Sequence, residues 1–259
     1  MLPMPIDVLQ HILGHLDKAS LAKICQLNKI CCSCSQDVLY REIRIDGYSE
    51  VLETLAQSTH LSRRVRSFDI SIFTRQTIPD ELLRKSLQNM TNIRTLVFFC
   101  SADLSVLDGC TFRLVSFHAG YYQSEHLLVQ FLHSQSSLTD ITIGLSSNND
   151  VAFAPTCLPN LTRICVANFS WLPQLIPNRP VSDVISSGFS GDNDSVDLSF
   201  FTLSTVPIRK LLIDHLRLYS TPLPLLASIF SSLTYLTLGY SAFDKSKETV
   251  HFITIIIYS

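Results

Sequence analysis

Leu138-Thr139-Asp140-Ile141-Thr142-Ile143 and, 23 residues on, Leu161-Thr162-Arg163-Ile164-Cys165-Val166 share one spacing, apolar-x-x-apolar-x-apolar. The same spacing stands at Val65-Phe68-Ile70, Ile93-Leu96-Phe98, Leu114-Phe117-Ala119, Ile208-Leu211-Ile213 and Leu233-Leu236-Leu238, with a weaker Val181-Val184-Ser186. Successive starts lie 28, 21, 24, 23, 20, 27 and 25 residues apart. Such a stretch makes a short strand whose last two apolar positions point to one side, and a single strand cannot bury them alone. The spacing therefore predicts a row of parallel strands, each stacked on the one before, with the intervening side chains facing outward.

In period and spacing the region from Val65 onward is similar to leucine-rich repeats, whose units run roughly 20 to 29 residues. The resemblance implies an irregular solenoid with a curved parallel sheet, of fold class α/β. Candidate helices on the other side are Asp80 to Gln88, Glu125 to His133 and Leu225 to Ser231, while Ser146 to Cys157 and Ser190 to Ser204 read as irregular loop. The Asn or Cys that such repeats carry just past each strand is missing. Its positions hold Phe73, Ser101, Tyr122, Ser146, Phe169, Leu216 and Ser241, so the array is degenerate. A two-layer α/β domain would use the same strands. Near the end Val250, Ile253 and Ile255 restart the unit only 17 residues after Leu233, without a polar cover. That is the pattern of an array truncated at its C-terminus, and it predicts poor solubility.

The first 45 residues follow a different rule. Val8, Leu9, Ile12, Leu13 and Leu16 form one stripe of a helix entered through Pro5, with Asp7 at its positive end. Leu21, Ile24, Cys25 and Leu27 mark a second helix that Asp17 or Ser20 can cap, and a third stretch runs from Ile30 to the alternating Ile43 and Ile45. Three short helices cannot hide three apolar stripes by themselves, so part of this surface should meet a partner.

The segment Met4-Pro5-Ile6-Asp7-Val8-Leu9-Gln10-His11-Ile12-Leu13-Gly14-His15-Leu16 resembles the opening of an F-box, Leu-Pro-x-Glu-Ile-Leu-x-x-Ile-Phe-x-x-Leu. Met4 replaces Leu and Asp7 replaces Glu, with the spacing kept. Leu21, then Leu27-Asn28-Lys29, then Val38-Leu39-Tyr40-Arg41-Glu42-Ile43 continue the likeness, whereas Cys31 stands where many members carry Trp. Residues 1–46 are thus expected to be an F-box, 47–63 a linker and 64–259 the leucine-rich-repeat-like solenoid.

Composition narrows the function. Charged residues are 16% against a usual value of about 25%, and 46% are hydrophobic, which excludes a disordered chain. Twenty Lys and Arg against 22 Asp and Glu leave a net charge of -2 with no basic block, so nucleic acid is not expected as a partner. No glycine-rich phosphate loop occurs. The N-terminal stretch has the wrong charge pattern for a signal peptide, and Phe252 to Ser259 is too short to span a membrane. The expectation is a cytoplasmic or nuclear protein without a membrane partner, whose eight cysteines are free thiols and whose Asn-x-Ser/Thr sites carry no sugar.

Motifs for chemistry fall short. His11 and His15 have metal-ligand spacing but no Glu between them, and Cys25, Cys31, Cys32 and Cys34 have no second Cys/His pair at finger spacing. Gly188-Phe189-Ser190-Gly191 is one residue short of a nucleophile elbow. Asp192 and Asp194 lack the Gly and Glu of a calcium loop. Trp171 reads as packing. No catalytic residue, metal or cofactor is expected.

By resemblance, the F-box implies docking on a Skp-type adaptor within a cullin complex, and the repeats imply capture of an unknown protein substrate. The chain would then be the substrate-recognition subunit of an SCF-type cullin-RING ubiquitin ligase, acting by proximity. The adaptor face is expected at Pro5, Val8, Leu9, Ile12, Leu13, Leu16 and Leu21. The substrate face is expected among the outward strand residues Asp69, Val97, Phe99, His118, Asp140, Thr142, Arg163, Lys210, Leu212, Tyr235 and Thr237, chiefly Phe99, His118, Asp140, Arg163, Lys210 and Tyr235. The alternatives are an F-box interaction protein acting outside a ubiquitin ligase and, third, a hydrolase-like enzyme on the parallel strands.

Overall fold

The computed structural model describes residues 5–46, 50–71, 78–100, 102–120, 124–144, 153–186, 198–213, 231–244 and 247–256, with backbone alone over 238–256. The chain falls into two compact units, residues 1–114 and 115–259.

The first unit opens with three helices, α1 (Ile6–Leu13), α2 (Lys18–Ile24) and α3 (Lys29–Leu39). Their starts follow local chemistry. Pro5 precedes α1 with φ -56, Asp17 accepts the Ser20 N–H at 2.7 Å, and Asn28 accepts the Cys31 N–H at 2.8 Å. The Ser20 bonds hold the Asp17 carboxyl below its ordinary pKa. Leu13, Leu21 and Cys34 form the small core of this bundle, packed against Leu9, Ile24, Val38 and Leu39.

Strand β1 (Glu42–Ile45) follows at once and pairs in parallel with β2 (Ser67–Ser71), which pairs in parallel with β3 (Thr95–Phe99). Segment 47–63, expected as a linker, instead carries α4 (Glu50–Gln57) and α5 (Thr59–Ser62). Leu52, Leu55 and Ala56 recur at helical spacing and are buried, and apolar spacing of that kind demands a packed helix. Helix α6 (Asp80–Asn89) matches the expected Asp80 to Gln88 and packs beside α4, with the Ser86 hydroxyl donating to Leu52 O at 2.9 Å.

The second unit repeats the parallel scheme. Strands β4 (Ser116–Ala119), β5 (Asp140–Ile143), β6 (Arg163–Val166), β7 (Asp183–Ser186), β8 (Lys210–Ile213) and β9 (Tyr235–Asp244) each pair with the next in chain order. Helix α7 (Glu125–His133) stands where expected, whereas Leu225 to Ser231 reaches back into residues outside the described ones. Of the two expected loops, 153–157 is without helix and Ser199–Leu203 is a short 3-10 turn; the remainder lies outside the described residues or is irregular. The weaker Val181-Val184-Ser186 is a full member of the row, with all three side chains buried.

The inward positions of the strands from Val65 to Ile213 are buried without exception. One departure stands at β9. Thr237, expected outward, is 5% exposed, while Leu236 is half-buried. A second correction concerns the end. Residues 250–255 do not restart the parallel unit but belong to β10 (Lys247–Ile256), which runs antiparallel to β9 from the pair Lys247↔Asp244 to Ile256↔Tyr235. A two-residue connection permits only a hairpin, because a parallel return needs a crossover of a dozen or more residues.

A recurring carbonyl joins neighbouring strand units. Arg41 O accepts from Arg66 N and Ser67 N, and Arg66 O from Arg94 N and Thr95 N, all at 2.8 to 3.0 Å. In the second unit Val115, Thr139, Thr162, Ser182 and Arg209 each accept the paired N–H groups of the following unit at 2.8 to 3.1 Å. The hydroxyls of Thr139, Thr162 and Thr234 add a third donor to the same carbonyl of the unit before. Among the described ladder positions, Phe169 is buried against Phe200 and Phe201, and the amide that closes this turn is its neighbour Asn168, whose Oδ1 accepts from Ser170 N.

Candidate functional site

Two surfaces have the composition of docking faces. The first lies on the N-terminal helices. Ile6, Val8, Ile12, Leu16, Leu27 and Ile30 are large apolar side chains exposed by 37 to 70%, an unusual concentration on three short helices and the turns between them. Of the expected adaptor residues, Pro5, Val8, Ile12 and Leu16 are on this surface and Leu9 is half-buried at its border. Leu13 and Leu21 are corrections. Each is only 2% exposed, because the bundle has to draw at least one residue from each helix to make any core. Ile6, Leu27 and Ile30 were missed. Ile6 opens α1, Leu27 stands in the turn between α2 and α3, and Ile30 is the second residue of α3.

Arg64 and Asp37 tie α3 to α1 and to the segment after α5. Arg64 donates to the Asp37 carboxylate, to Ser33 O at 3.0 Å and to Ser33 Oγ at 3.3 Å, while His60 Nε2 lies 2.8 Å from its other nitrogen. Gln10 Nε2 on α1 donates to the same carboxylate at 3.4 Å. A cleft of about 530 Å³ opens between these helices and the outward side of β1 and β2, with Leu16, Val38 and Leu39 on one wall and the Arg44–Asp69 pair, 3.8 Å apart, on the other.

The second surface is the outward side of β4 to β9. Register places Ser116, Asp140, Arg163, Asp183, Lys210 and Tyr235 in one row, and His118, Thr142, Cys165, Ile185 and Leu212 in the next. Five of the six residues chiefly expected on a substrate face, His118, Asp140, Arg163, Lys210 and Tyr235, thus share this sheet side. Phe99 belongs to the first unit, half-buried at the last position of β3 opposite Ser71. Charges alternate along the first row, and Asp140 meets Arg163 at 4.0 Å. Exposed pairs of that kind contribute little stability.

His118 is held from both sides, by Ser116 Oγ at 2.7 Å from Nε2 and by Thr142 Oγ1 at 2.8 Å from Nδ1. Among the described residues both ring nitrogens meet hydroxyls and not a carboxylate, and Asp140 faces Arg163. The two hydroxyls fix the orientation of the imidazole on this side of the sheet. Burial pushes the Cys100 thiol up to about 11 and the Cys110 thiol up to about 12, which leaves both inert as nucleophiles near neutral pH. The rings of His11 and His15 meet edge to face at 5.0 Å, and among the described residues no group of three metal-ligating side chains gathers. Trp171 is buried against Phe153, at 5.5 Å between ring centroids. Ser190, Asp192 and Asp194 lie outside the described residues. No helix among the described residues is long and apolar enough to cross a membrane.

Residues 1–42 match the family model of the F-box domain. No curated protein matches the chain. The match makes residues 1–42 an F-box domain, a module of ubiquitin-ligase substrate recognition and of protein interaction in general, typical of non-enzymatic adaptors.

Proposed function

We propose that this chain, which opens with an F-box domain, is the substrate-recognition subunit of an SCF-type cullin-RING ubiquitin ligase. The observation that carries the reading is the exposed apolar stripe of Val8, Ile12, Leu16, Leu27 and Ile30 on helices whose own core is already filled by Leu13 and Leu21. A Skp-type adaptor would cover that stripe, with Pro5, Val8, Leu9, Ile12 and Leu16 as anchors. The strands from Val65 onward are read as a degenerate leucine-rich solenoid, and a target protein would lie on their outward side. Mixed charge beside Tyr235 and Leu212 favours a protein over a phosphate or sugar. Catalysis would be by proximity, the chain holding target lysines near a ubiquitin donor in the cytoplasm or nucleus.

Substituting Val8→Glu with Ile12→Glu buries two charges in such an interface and should reduce adaptor co-precipitation more than 100-fold while far-ultraviolet circular dichroism stays unchanged, since each buried unpaired charge costs about 2 kcal/mol or more. Undiminished capture by the folded variant overturns the adaptor assignment. If the adaptor is retained by the unaltered chain but no cullin accompanies it, the protein acts as an F-box interaction protein outside a ligase.

A further inference from the structure

The residue just ahead of each strand carries the carbonyl that joins one repeat to the next. At Thr139, Thr162 and Thr234 the side chain serves the same joint, each hydroxyl donating to the carbonyl of the repeat before. In the first compact unit the equivalent positions, one residue ahead of β1, β2 and β3, hold Arg41, Arg66 and Arg94. They lie 25 and 28 residues apart in the chain, so no basic block announces them. The bonds from Arg66 N to Arg41 O and from Arg94 N to Arg66 O, both 2.8 Å, seat them on adjacent rungs, and at about 4.8 Å per rung the three span about 10 Å. All three side chains are exposed. Arg66 Nη1 donates to Asn92 O at 3.3 Å, but among the described residues no carboxylate is within ion-pair distance of any of the three, whereas Arg44 has Asp46 and Asp69 and Arg64 has Asp37. The row beside them, Glu42, Ser67 and Thr95, brings a single carboxylate. Like charges on neighbouring strands repel, so this ladder opposes folding until an anion covers it.

We propose that Arg41, Arg66 and Arg94 form a docking ladder for a run of Asp and Glu residues in a partner protein, laid across the first three strands. The fork of each guanidinium matches a carboxylate, and a row of forks matches a row of carboxylates. A single phosphate is a point charge that three arginines spread over this length do not converge on. Nucleic-acid surfaces draw on roughly 6 to 10 phosphate contacts, more than this row supplies. At one end the ladder meets the cleft of about 530 Å³, whose lining contains Arg41 and Lys18, so an acidic segment has a further cation to continue onto. This contact is separate from the apolar stripe of the N-terminal helices and stands whether or not the chain serves a ligase.

Fluorescein-labelled octaglutamate, titrated with the full-length chain at low ionic strength and followed by anisotropy, should bind saturably and be released by added salt. Arg41→Gln, Arg66→Gln and Arg94→Gln combined should weaken binding about 10-fold or more, while Arg63→Gln with Arg209→Gln, exposed arginines off the ladder, should stay within about 2-fold. The three changes to Lys, which keep the charge and give up the fork, should fall between. Unchanged far-ultraviolet circular dichroism and undiminished adaptor capture by the Gln variant separate this contact from the fold and from the ligase reading. Absence of saturable binding, full affinity in the folded Gln variant, an equal loss in the off-ladder variant, or tighter binding of an eight-nucleotide oligothymidylate or of a neutral peptide with one phosphoserine overturns the proposal.

Discussion

Arg179 is buried to 1% exposure, and among the described residues no carboxylate pairs with it. Its guanidinium instead donates to four backbone carbonyls, Cys157 at 2.7 Å, Gln174 at 2.8 Å, and Pro177 and Ala154 at 3.1 Å. Desolvation draws its pKa below the ordinary guanidinium value, although it remains charged at any ordinary pH. Replacing it with Met keeps the volume but strands those carbonyls, for a loss of about 3 kcal/mol in urea unfolding. Arg179→Lys should lose nearly as much, because one ammonium cannot serve so spread a set of acceptors. A Met variant with an unchanged midpoint would mean that water replaces the guanidinium. Nothing in Pro177-Asn178-Arg179-Pro180 announces this role, since the acceptors are brought in by residues up to 25 positions away. By contrast, Leu13 and Leu21 were legible as apolar stripe but not as core. Spacing says that a side chain shares a face, and only packing says which face turns inward.

The strands were the most readable elements, because every unit has the same problem of burying two side chains and solves it with the same spacing. What joins one unit to the next was invisible, for it is a main-chain carbonyl with two donors. Thr162 supplies its amide and its hydroxyl to Thr139 O, at 2.9 and 3.0 Å. Thr162→Val removes only the exposed hydroxyl and should cost about 0.5 to 1 kcal/mol, whereas Thr162→Pro also deletes the amide and should cost about 2 kcal/mol or more. Urea midpoints of the two variants test the order, and equal losses would show that the amide bond contributes nothing. The direction of β10 could not be read either, since alternating apolar residues fit a parallel or an antiparallel partner alike. The helices at 50–62 stand in the stretch expected as a linker, although Leu52, Leu55 and Ala56 carry helical spacing.

The first unit joins its helices to its sheet through the chain itself. Arg41 O is the first of the recurring acceptors, and β1, which begins one residue later, is the first strand. Deleting residues 1–46 therefore removes a structural edge and not only a docking module. It leaves the Arg66 and Ser67 amides without their acceptor and opens β2 to solvent, a loss of about 2 to 3 kcal/mol that should lower the melting temperature by roughly 5 to 10 °C. Scanning fluorimetry of the 47–259 fragment beside the full chain measures this, and identical melting curves would show the sheet to be indifferent to β1.

The same sharing decides how this protein can be recombined. A chimera cut at residue 46 would carry β1 away with the helices and force the recipient sheet to accept a foreign first strand. A graft that exchanges only the helical part, and leaves Arg41 to Ile45 with the body that receives it, keeps the acceptor and the register Glu42↔Ser67 to Ile45↔Ile70. The natural seam for swapping lies inside the motif, at the end of α3.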